Sequence, residues 1–223
     1  MIVTALVPMK GNSERIPNKN LKKFNKFPLY HSIIKSLIKS KRVDKIVVNT
    51  DSSKIRNDII ANFSDVHIIE RPKNLLGDDV SMNKIIEYDL SVINSDLFIQ
   101  THSTNPLLSS TTIDNSISFF INNINKYDSL LSVNKFQSRF YSSEGIPINH
   151  SPNELMKTQD LDPIYEENSN FYIFSKKTFF KNMNRIGDNP FFYECDRVES
   201  IDIDYLSDFT TAQALSKIFK KND

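Results

Sequence analysis

The sequence predicts an α/β fold in three layers, a mostly parallel sheet with helices on both faces and a small protruding lobe. Two observations carry this. Short β-branched runs alternate with longer runs of helical periodicity over the first two thirds of the chain, and most strand-like runs end in polar or turn-forming residues. Parallel strands joined by helical crossovers follow from that order.

The elements can be taken in turn. Ile2–Val7 forms a first strand, and Leu29–Lys39 sets Ile33, Ile34, Leu37 and Ile38 at helical spacing. Lys45–Asn49 is a second strand, after which Ser53 caps a helix running to about Asn62. Val66–Ile69 is a third strand; Ser81 caps a helix with Met82, Ile85, Ile86 and Leu90 on one face. Leu97–Gln100 gives a strand, about Thr111–Ile124 a helix, and Leu130–Val133 another strand. Between Asn134 and Asn168 the alternation fails, with turn signals at Gly145-Ile146-Pro147 and Ser151-Pro152-Asn153. This stretch reads as a hairpin arm within a single domain spanning 1–223. The sheet resumes at Phe171–Phe174, and a strand at Glu199–Ile203 precedes a helix of about Ser207–Lys217.

Composition removes several function classes. The chain has 223 residues with a net charge of +1, too balanced for a dedicated nucleic-acid binder. Its single cysteine, Cys195, excludes an intramolecular disulfide and a cysteine-based zinc site. Only four glycines occur, so neither the dinucleotide fingerprint G-x-G-x-x-G nor a glycine-rich P-loop is possible. No apolar run approaches the roughly 20 residues of a membrane span, and Met1–Pro8 lacks a basic leader. These features lead to the expectation of a cytoplasmic protein with no membrane partner. The 16 Phe and 8 Tyr are expected mainly in packing, with Phe140-Tyr141 available for a dimer contact, and Cys195 as a buried thiol.

Ligands of open α/β sheets sit in the loops beyond the carboxyl ends of strands. From Lys10 to Lys26, the stretch after the first strand, six basic residues face one acid, Glu14. Lys10, Arg15 and Lys19, with the backbone around Asn12 and Ser13, suit a phosphate chain. A solvated basic loop is the other reading. The second constellation is Glu199-Ser200-Ile201-Asp202-Ile203-Asp204. In extended backbone Asp202 and Asp204 share a side. Two neighbouring carboxylates repel unless a cation joins them, and Mg²⁺ with waters and a substrate phosphate would do so. Acids solvated at a strand end are the alternative; a triphosphate needs both features together.

The opening core S-x-R-x-P-x-K-N closely resembles that of the CMP-sialic acid synthetases, or acylneuraminate cytidylyltransferases. The likeness continues in order through Val47-Val48-Asn49-Thr50-Asp51-Ser52, Glu70-Arg71-Pro72, Leu76-Gly77-Asp78-Asp79-Val80-Ser81, Thr104-Asn105-Pro106-Leu107, Gln159-Asp160-Leu161 with Asn168 and Tyr172-Ile173-Phe174, and Glu199–Asp204. The resemblance implies a Rossmann-like nucleotidyltransferase fold and a reaction of CTP with a sugar acid, giving a CMP-sugar and pyrophosphate. It implies that Lys10 and Lys19 contact phosphates, that Asn20 and Ser81 recognise the cytidine, and that Asp202 and Asp204 hold Mg²⁺. Arg15 stands one residue after a family Lys, at whose position this chain has Glu14; Arg15 is therefore the candidate for stabilising pyrophosphate.

The acceptor end departs from the family pattern. His102 occupies the position of a family Gln, and Gln100 lies two residues earlier. A family Arg before an Asn-Gly pair appears as Glu166, and Ser169-Asn170 follows Asn168 in place of Gly-Ala. Gln100, His102, Arg139 and Asn168 are the candidates for touching the acceptor, Arg139 as a substitute cation for its carboxylate. Two other readings stay open: a nucleotidyltransferase of this fold with a neutral or phosphorylated acceptor, and a non-catalytic nucleotide-binding relative. In the family the arm exchanges between two subunits, so the resemblance also implies a homodimer.

Overall fold

The structure, a computed structural model, describes residues 1–219; residues 220–223 of the expected single domain lie outside them. The chain begins with β1 (Val3–Leu6), followed by a two-stranded ribbon of β2 (Lys23–Phe24) and β3 (Phe27–Pro28), then α1 (His31–Lys39), β4 (Lys45–Thr50) and α2 (Ser53–Asn62). Next come β5 (Val66–Glu70), α3 (Met82–Val92), β6 (Leu97–Thr101), α4 (Ser110–Asn122) and β7 (Ser129–Phe136). The chain closes with β8 (Ile164–Phe174), α5 (Lys176–Asn182), β9 (Pro190–Glu194) and α6 (Leu206–Phe219).

Seven strands form one sheet in the order β5-β4-β1-β6-β8-β7-β9. Only β8 runs antiparallel to its neighbours β6 and β7. Alternate residues of each strand point to opposite faces, and two separate cores result. Val3, Ala5, Val48 and Ile99 pack on one face with Ile33 and Ile34 of α1, Ile59 of α2 and Ile117 of α4. Leu6, Val47 and Phe98 pack on the other with Ile86 and Leu90 of α3 and Phe179 of α5. A third, smaller cluster joins Ile16, Leu29 and Ile203 to Phe209 and Ala212 of α6. The three-layer, mostly parallel architecture is the one the residue pattern predicts.

Helix starts follow capping chemistry, with one displacement. Ser52, not Ser53, accepts from Ile55 N and caps α2; Ser109 and Ser175 do the same for α4 and α5. Ser81 sits at the N-cap of α3, yet its side chain makes no capping bond.

Three differences from the expected elements matter. Glu199–Ile203 is not a strand: these residues are turn and irregular backbone. The strand in that part of the chain is β9, which pairs parallel with β7 at the sheet edge. Its Pro190 start hides it in the sequence, but proline is tolerated at the first position of an edge strand. Its packing explains it: Phe191 meets Phe119 at 4.3 Å and Tyr127 at 4.9 Å between ring centres. Finally, β8 begins seven residues before the expected Phe171, at Ile164. Between the pairs Leu131–Tyr172 and Val133–Glu167 the register shifts, because β8 bulges through Asn168–Phe171 with Ser169 in the left-handed region (φ 58°). Ser132 closes the bulge, its Oγ accepting from Phe171 N at 3.0 Å and donating to Phe171 O at 3.1 Å. The expected arm, 134–168, therefore has its ends, 134–136 and 164–168, in strands of the sheet. Beyond them Asn149 ties the arm together, accepting from Phe140 N and donating to Ser138 O and Asp162 O.

Two polar features brace the frame. Asp128 accepts from Asp188 N at 2.8 Å and Asn189 N at 3.1 Å, pinning the segment between α5 and β9. A Cβ at Gly187 would lie 2.3 Å from Asp128 Oδ1, so only glycine lets the two approach. We expect Gly187→Ala to lose about 1–3 kcal/mol in urea unfolding by overpacking. The second feature is fully buried. Asp89 accepts from Asn49 Nδ2 at 2.6 Å, and Asn49 Oδ1 accepts from Arg71 Nε at 2.9 Å. Burial pushes the Asp89 carboxyl up to about 7, outweighing its Asn49 bond and the Arg71 charge. An unfolded Asp titrates near ~3.9. As pH rises through this window the unfolded chain releases a proton that the fold retains, so stability falls, then levels above about 7. Replacing Asp89 by Asn removes this dependence. Between pH 5 and pH 8 the variant should gain on the order of 2–3 kcal/mol over the parent chain, read from unfolding curves.

Candidate active site

The loop after β1 is held at both ends by backbone ladders. Val7 N bonds Val47 O at 2.8 Å and Met9 N bonds Asn49 O at 2.9 Å, so extended backbone continues to Met9. Gly11 then passes so close to the turn after β4 that a Cβ would meet Ser52 Cβ at 2.7 Å, while its N–H bonds Asp51 Oδ1 at 2.6 Å. The loop ends in a 3₁₀ turn, Lys19–Leu21, entered through Asn18 in the left-handed region (φ 54°). That turn buries Lys19 and Asn20. Asn20 closes the loop, donating to Lys10 O at 2.8 Å and accepting from Ser103 Oγ at 2.8 Å.

Opposite lies the segment before α6, fixed residue by residue without a sheet. Glu199 Oε2 accepts from Ser109 N at 3.2 Å at the start of α4, and Asn168 Nδ2 donates to Ser200 Oγ at 3.1 Å. Ile203 N bonds Thr104 O at 3.0 Å, and Asp208 accepts from Asp204 N and Tyr205 N at 3.0 and 2.7 Å. Ile203 is thereby buried in the third core cluster, with Ile201 packed against it, while Asp202 and Asp204 line the cleft. The alternation expected of a strand survives in irregular backbone.

The two segments meet across charged groups. Lys19 Nζ donates to Ile203 O and lies 3.4 Å from Asp204 Oδ1; Arg15 Nη1 stands 2.5 Å from Asp204 Oδ2. Asp204 thus raises the Arg15 pKa above its ordinary value. Asp202 is more enclosed. Burial lifts its carboxyl above the usual range, assisted by Asp204 and opposed by a Thr104 hydrogen bond and by Lys19. Its Oδ1 is buried with no hydrogen-bond partner among the described residues. Among those residues no group of three or more His, Cys, Asp or Glu gathers into a metal cage. The pair Asp202–Asp204 offers instead one or two carboxylate oxygens, the small protein contribution Mg²⁺ takes beside phosphates.

The cleft encloses about 360 Å³ and brings together Lys10, Ser13, Arg15, Lys19, Asn20, His102, Asp202 and Asp204. Lys10 Nζ pairs with Asp78 Oδ1 at 2.9 Å. Asn12 and Ser81 are exposed and lie outside the lining, although Val80 and Met82 on either side of Ser81 belong to it. Three acceptor candidates are elsewhere. Gln100 is completely buried in β6, Asn168 spends its side chain on Asn134, Ser200 and Asn170 N, and Arg139 in the arm donates to Met156 O. Glu166 accepts from Asn134 Nδ2 at 2.9 Å and does not line the cleft.

Sequence reasoning gave no role to two arginines that the fold brings here. Arg71 lines the cleft, buried against Met9 O and Asn49. Arg185, after α5, donates from Nη1 to Gln100 Oε1 at 2.7 Å and stacks over Tyr172 at 3.6 Å. Arg71 sits inside a quoted motif, which was the available signal; Arg185 lies in none. His102 is held neutral. Burial first, then the charges of Arg185 and Lys19, push its pKa down to about 3, and its Nε2 is buried without a partner.

A cation-rich loop facing two carboxylates, one with a free buried oxygen, has the chemistry that a polyphosphate would need. Comparison with known proteins gives the family. A family model described as Cytidylyltransferase matches residues 4–221. The pseudaminic acid cytidylyltransferase of Campylobacter jejuni is 25% identical over 96% of this chain and 95% of its own length. The N-acylneuraminate cytidylyltransferase of Streptococcus agalactiae is 25% identical over 92% of this chain and 51% of its own. In fold, the chain is similar to CMP:2-keto-3-deoxy-manno-octonic acid synthetase complexed with CTP, with a TM-score of 0.73 at 11% identity over 97% of this chain and 99% of that one. It is also similar to the 4-diphosphocytidyl-2C-methyl-D-erythritol synthase of Anaerococcus prevotii, with a TM-score of 0.69 at 11% identity over 97% and 96% of the two chains. The chain belongs to the cytidylyltransferase family and is a nucleotidyltransferase.

Proposed function

We propose that the protein couples CTP to a nonulosonic sugar acid, forming a CMP-sugar and releasing pyrophosphate. The observation that carries this reading is the junction of Lys19, Arg15, Asp202 and Asp204 in one cleft. The names of the relatives, pseudaminic acid and N-acylneuraminate cytidylyltransferase, support the acceptor class.

The sugar's anomeric hydroxyl attacks the α-phosphorus; a new P–O bond forms, the α–β bridging bond breaks, and the hydroxyl proton passes to water. Catalysis here is mainly positioning and charge neutralisation. Lys10 and Lys19 hold phosphate oxygens, and the backbone at Asn12 and Ser13 follows the chain of phosphates. Arg15 exchanges its Asp204 partner for the departing pyrophosphate. Asn20, already fixed by Lys10 O and Ser103, and Ser81, whose hydroxyl caps nothing, recognise the nucleoside. Asp202 and Asp204 would hold Mg²⁺, and the buried free Oδ1 of Asp202 fits that task. When bound, the ion supplies Lewis-acid neutralisation of phosphate charge.

The arm supports a homodimer. It presents Tyr141, Ile146, Ile148 and Met156 to solvent together with Leu155, which is 92% exposed. Such a row of apolar side chains wants a covering surface. Among the described residues no helix is long and apolar enough to cross a membrane, and Cys195 is a buried free thiol. These features and the balanced charge fit a cytoplasmic enzyme without membrane or nucleic-acid partners.

Pyrophosphate release from CTP and Mg²⁺, measured across sialic, legionaminic, pseudaminic and 3-deoxy-octulosonic acids with neutral and phosphorylated sugars alongside, tests the reaction. We expect turnover with a nonulosonic acid, reduced by about two orders of magnitude or more in Asp202→Asn or Asp204→Asn and abolished by chelation. Turnover confined to neutral or phosphorylated sugars would sink the acceptor assignment. Light scattering should give twice the chain mass at micromolar concentration, and Leu155→Asp should lower it; a monomeric parent chain would contradict the dimer.

A further inference from the structure

Arg185 is a largely enclosed cation supplied by a segment outside any helix or strand. That segment, between α5 and β9, is nevertheless fixed at nearly every residue. Met183 adopts the left-handed region (φ 51°), Asn184 Oδ1 accepts from Ile186 N at 3.1 Å, and Gly187 N donates to Ser129 Oγ at 2.8 Å. Asp128 holds the next two amides, and Lys181 pairs with Asp188 at 2.5 Å. Such bracing lets a loop aim one side chain accurately.

What Arg185 is aimed at follows from the sheet. Gln100 of β6 and Tyr172 of β8 are register partners, and the guanidinium lies on both, bonded to the amide and stacked on the ring. Two residues beyond Gln100 is His102, which lines the cleft. Tyr172 OH lies 3.3 Å from Ser169 Oγ, and Ser169 also lines the cleft. Arg185 does not line the cleft itself, but it touches Gln100 and Tyr172, each one step from a lining residue, and its charge acts on His102.

Its charge is poorly matched. The Arg185 side chain is 15% exposed, and its carboxylate neighbour is Glu167, whose Oε1 is 3.7 Å from Nη2 and already accepts from Tyr172 OH. That separation is beyond a hydrogen bond. Gln100 is neutral. The guanidinium bonds neutral Gln100 and Tyr172 but has no carboxylate within hydrogen-bond distance among the described residues, and a substrate carboxylate would fill its fork bidentately. Within the cleft wall, neutral His102 adds a buried polar nitrogen, Nε2, with no hydrogen-bond partner among the described residues.

Resting on the sugar-acid reading above, we propose that Arg185 is the anchor for the acceptor's carboxylate, which enters past His102 and Ser169 and takes the place of Glu167. The negative residue at 166, in this view, needs no compensating cation from the arm, because the positive charge is delivered from the opposite side of β8.

The test uses the full chain with N-acetylneuraminic and pseudaminic acids and the C1 amide of each. In Arg185→Gln we expect KM for the acid to rise about 30-fold or more, with CTP affinity by calorimetry changed less than about twofold. The parent chain's preference for acid over amide should collapse, a change that a loss of scaffold alone does not produce. Arg185→Lys should restore part of the preference. Because Arg185→Gln removes a buried stack, Glu167→Gln provides an independent arm: freeing the guanidinium should lower KM for the acid about threefold, with unchanged CTP affinity. If Arg185→Gln folds and keeps both KM and acid preference, or Glu167→Gln raises KM, the anchor is overturned while the cytidylyltransfer reading stands. If the parent chain turns over neutral sugars and no acid, both fall together.

Discussion

A single buried ammonium joins the two halves of the cleft. Lys19 reaches from the loop after β1 to the carbonyl of Ile203 and to Asp204, linking positions at opposite ends of the chain. A lysine this enclosed is tolerated only where its charge is met. Folding therefore cannot bury Lys19 without docking the segment before α6. Once that segment docks, Ile203 completes the third core cluster and Asp202 is drawn out of solvent. The loop after β1 and the carboxylate pair are thus held together by the same contacts.

The cleft has two electrical characters. Around the loop after β1, where the nucleotide is proposed to bind, Lys19 is buried, while Lys10 and Arg15 are partly exposed and paired with Asp78 and Asp204. Those pairs are weak in water and exchange readily for phosphate. At the end proposed for the acceptor, Arg185 is stacked on Tyr172, Gln100 is sealed in β6 and His102 is held neutral. Flexible cations suit a polyphosphate that must come and go, whereas a fixed fork suits selection of one acceptor geometry. The Asp89–Asn49–Arg71 chain runs from α3 through β4 to the cleft wall, bracing Arg71 from the protein interior.

Much of this was legible in the residues, and the remainder was hidden for definable reasons. Amphipathic runs such as Ile33, Ile34 and Leu37 declare their helix because periodicity is local. The basic loop and the Asp202–Asp204 pair are local too, and they do converge in one cleft. Glu199–Ile203 misled because hydrophobic alternation signals extended backbone, not membership of a sheet; the sheet edge is taken by β9. Gln100 lies in a strand with both faces covered, so parity alone could not tell whether it met ligand or interior. Arg185 was illegible for a deeper reason. Its surroundings depend on the β6–β8 register and on a turn whose tightness needs Gly187 opposite Asp128, neither of which is written within a short window.

The bulge at Asn168–Phe171 divides β8 into two independently phased pieces. Below it, Tyr172 keeps its pairing with Gln100 and its stack on Arg185; above it, Glu167 to Ile164 pair outward toward the arm. An uninterrupted strand would transmit any one-residue slip along its whole length and turn every side chain over. Here the lower piece is held by its own pairing with β6 and β7 and by the Ser132 clamp. The arm is thus free to lengthen, shorten or change its pairing during evolution without disturbing the half of the strand that pairs with β6, so the face proposed for a subunit contact can be rebuilt while the Gln100–Tyr172 pairing is kept.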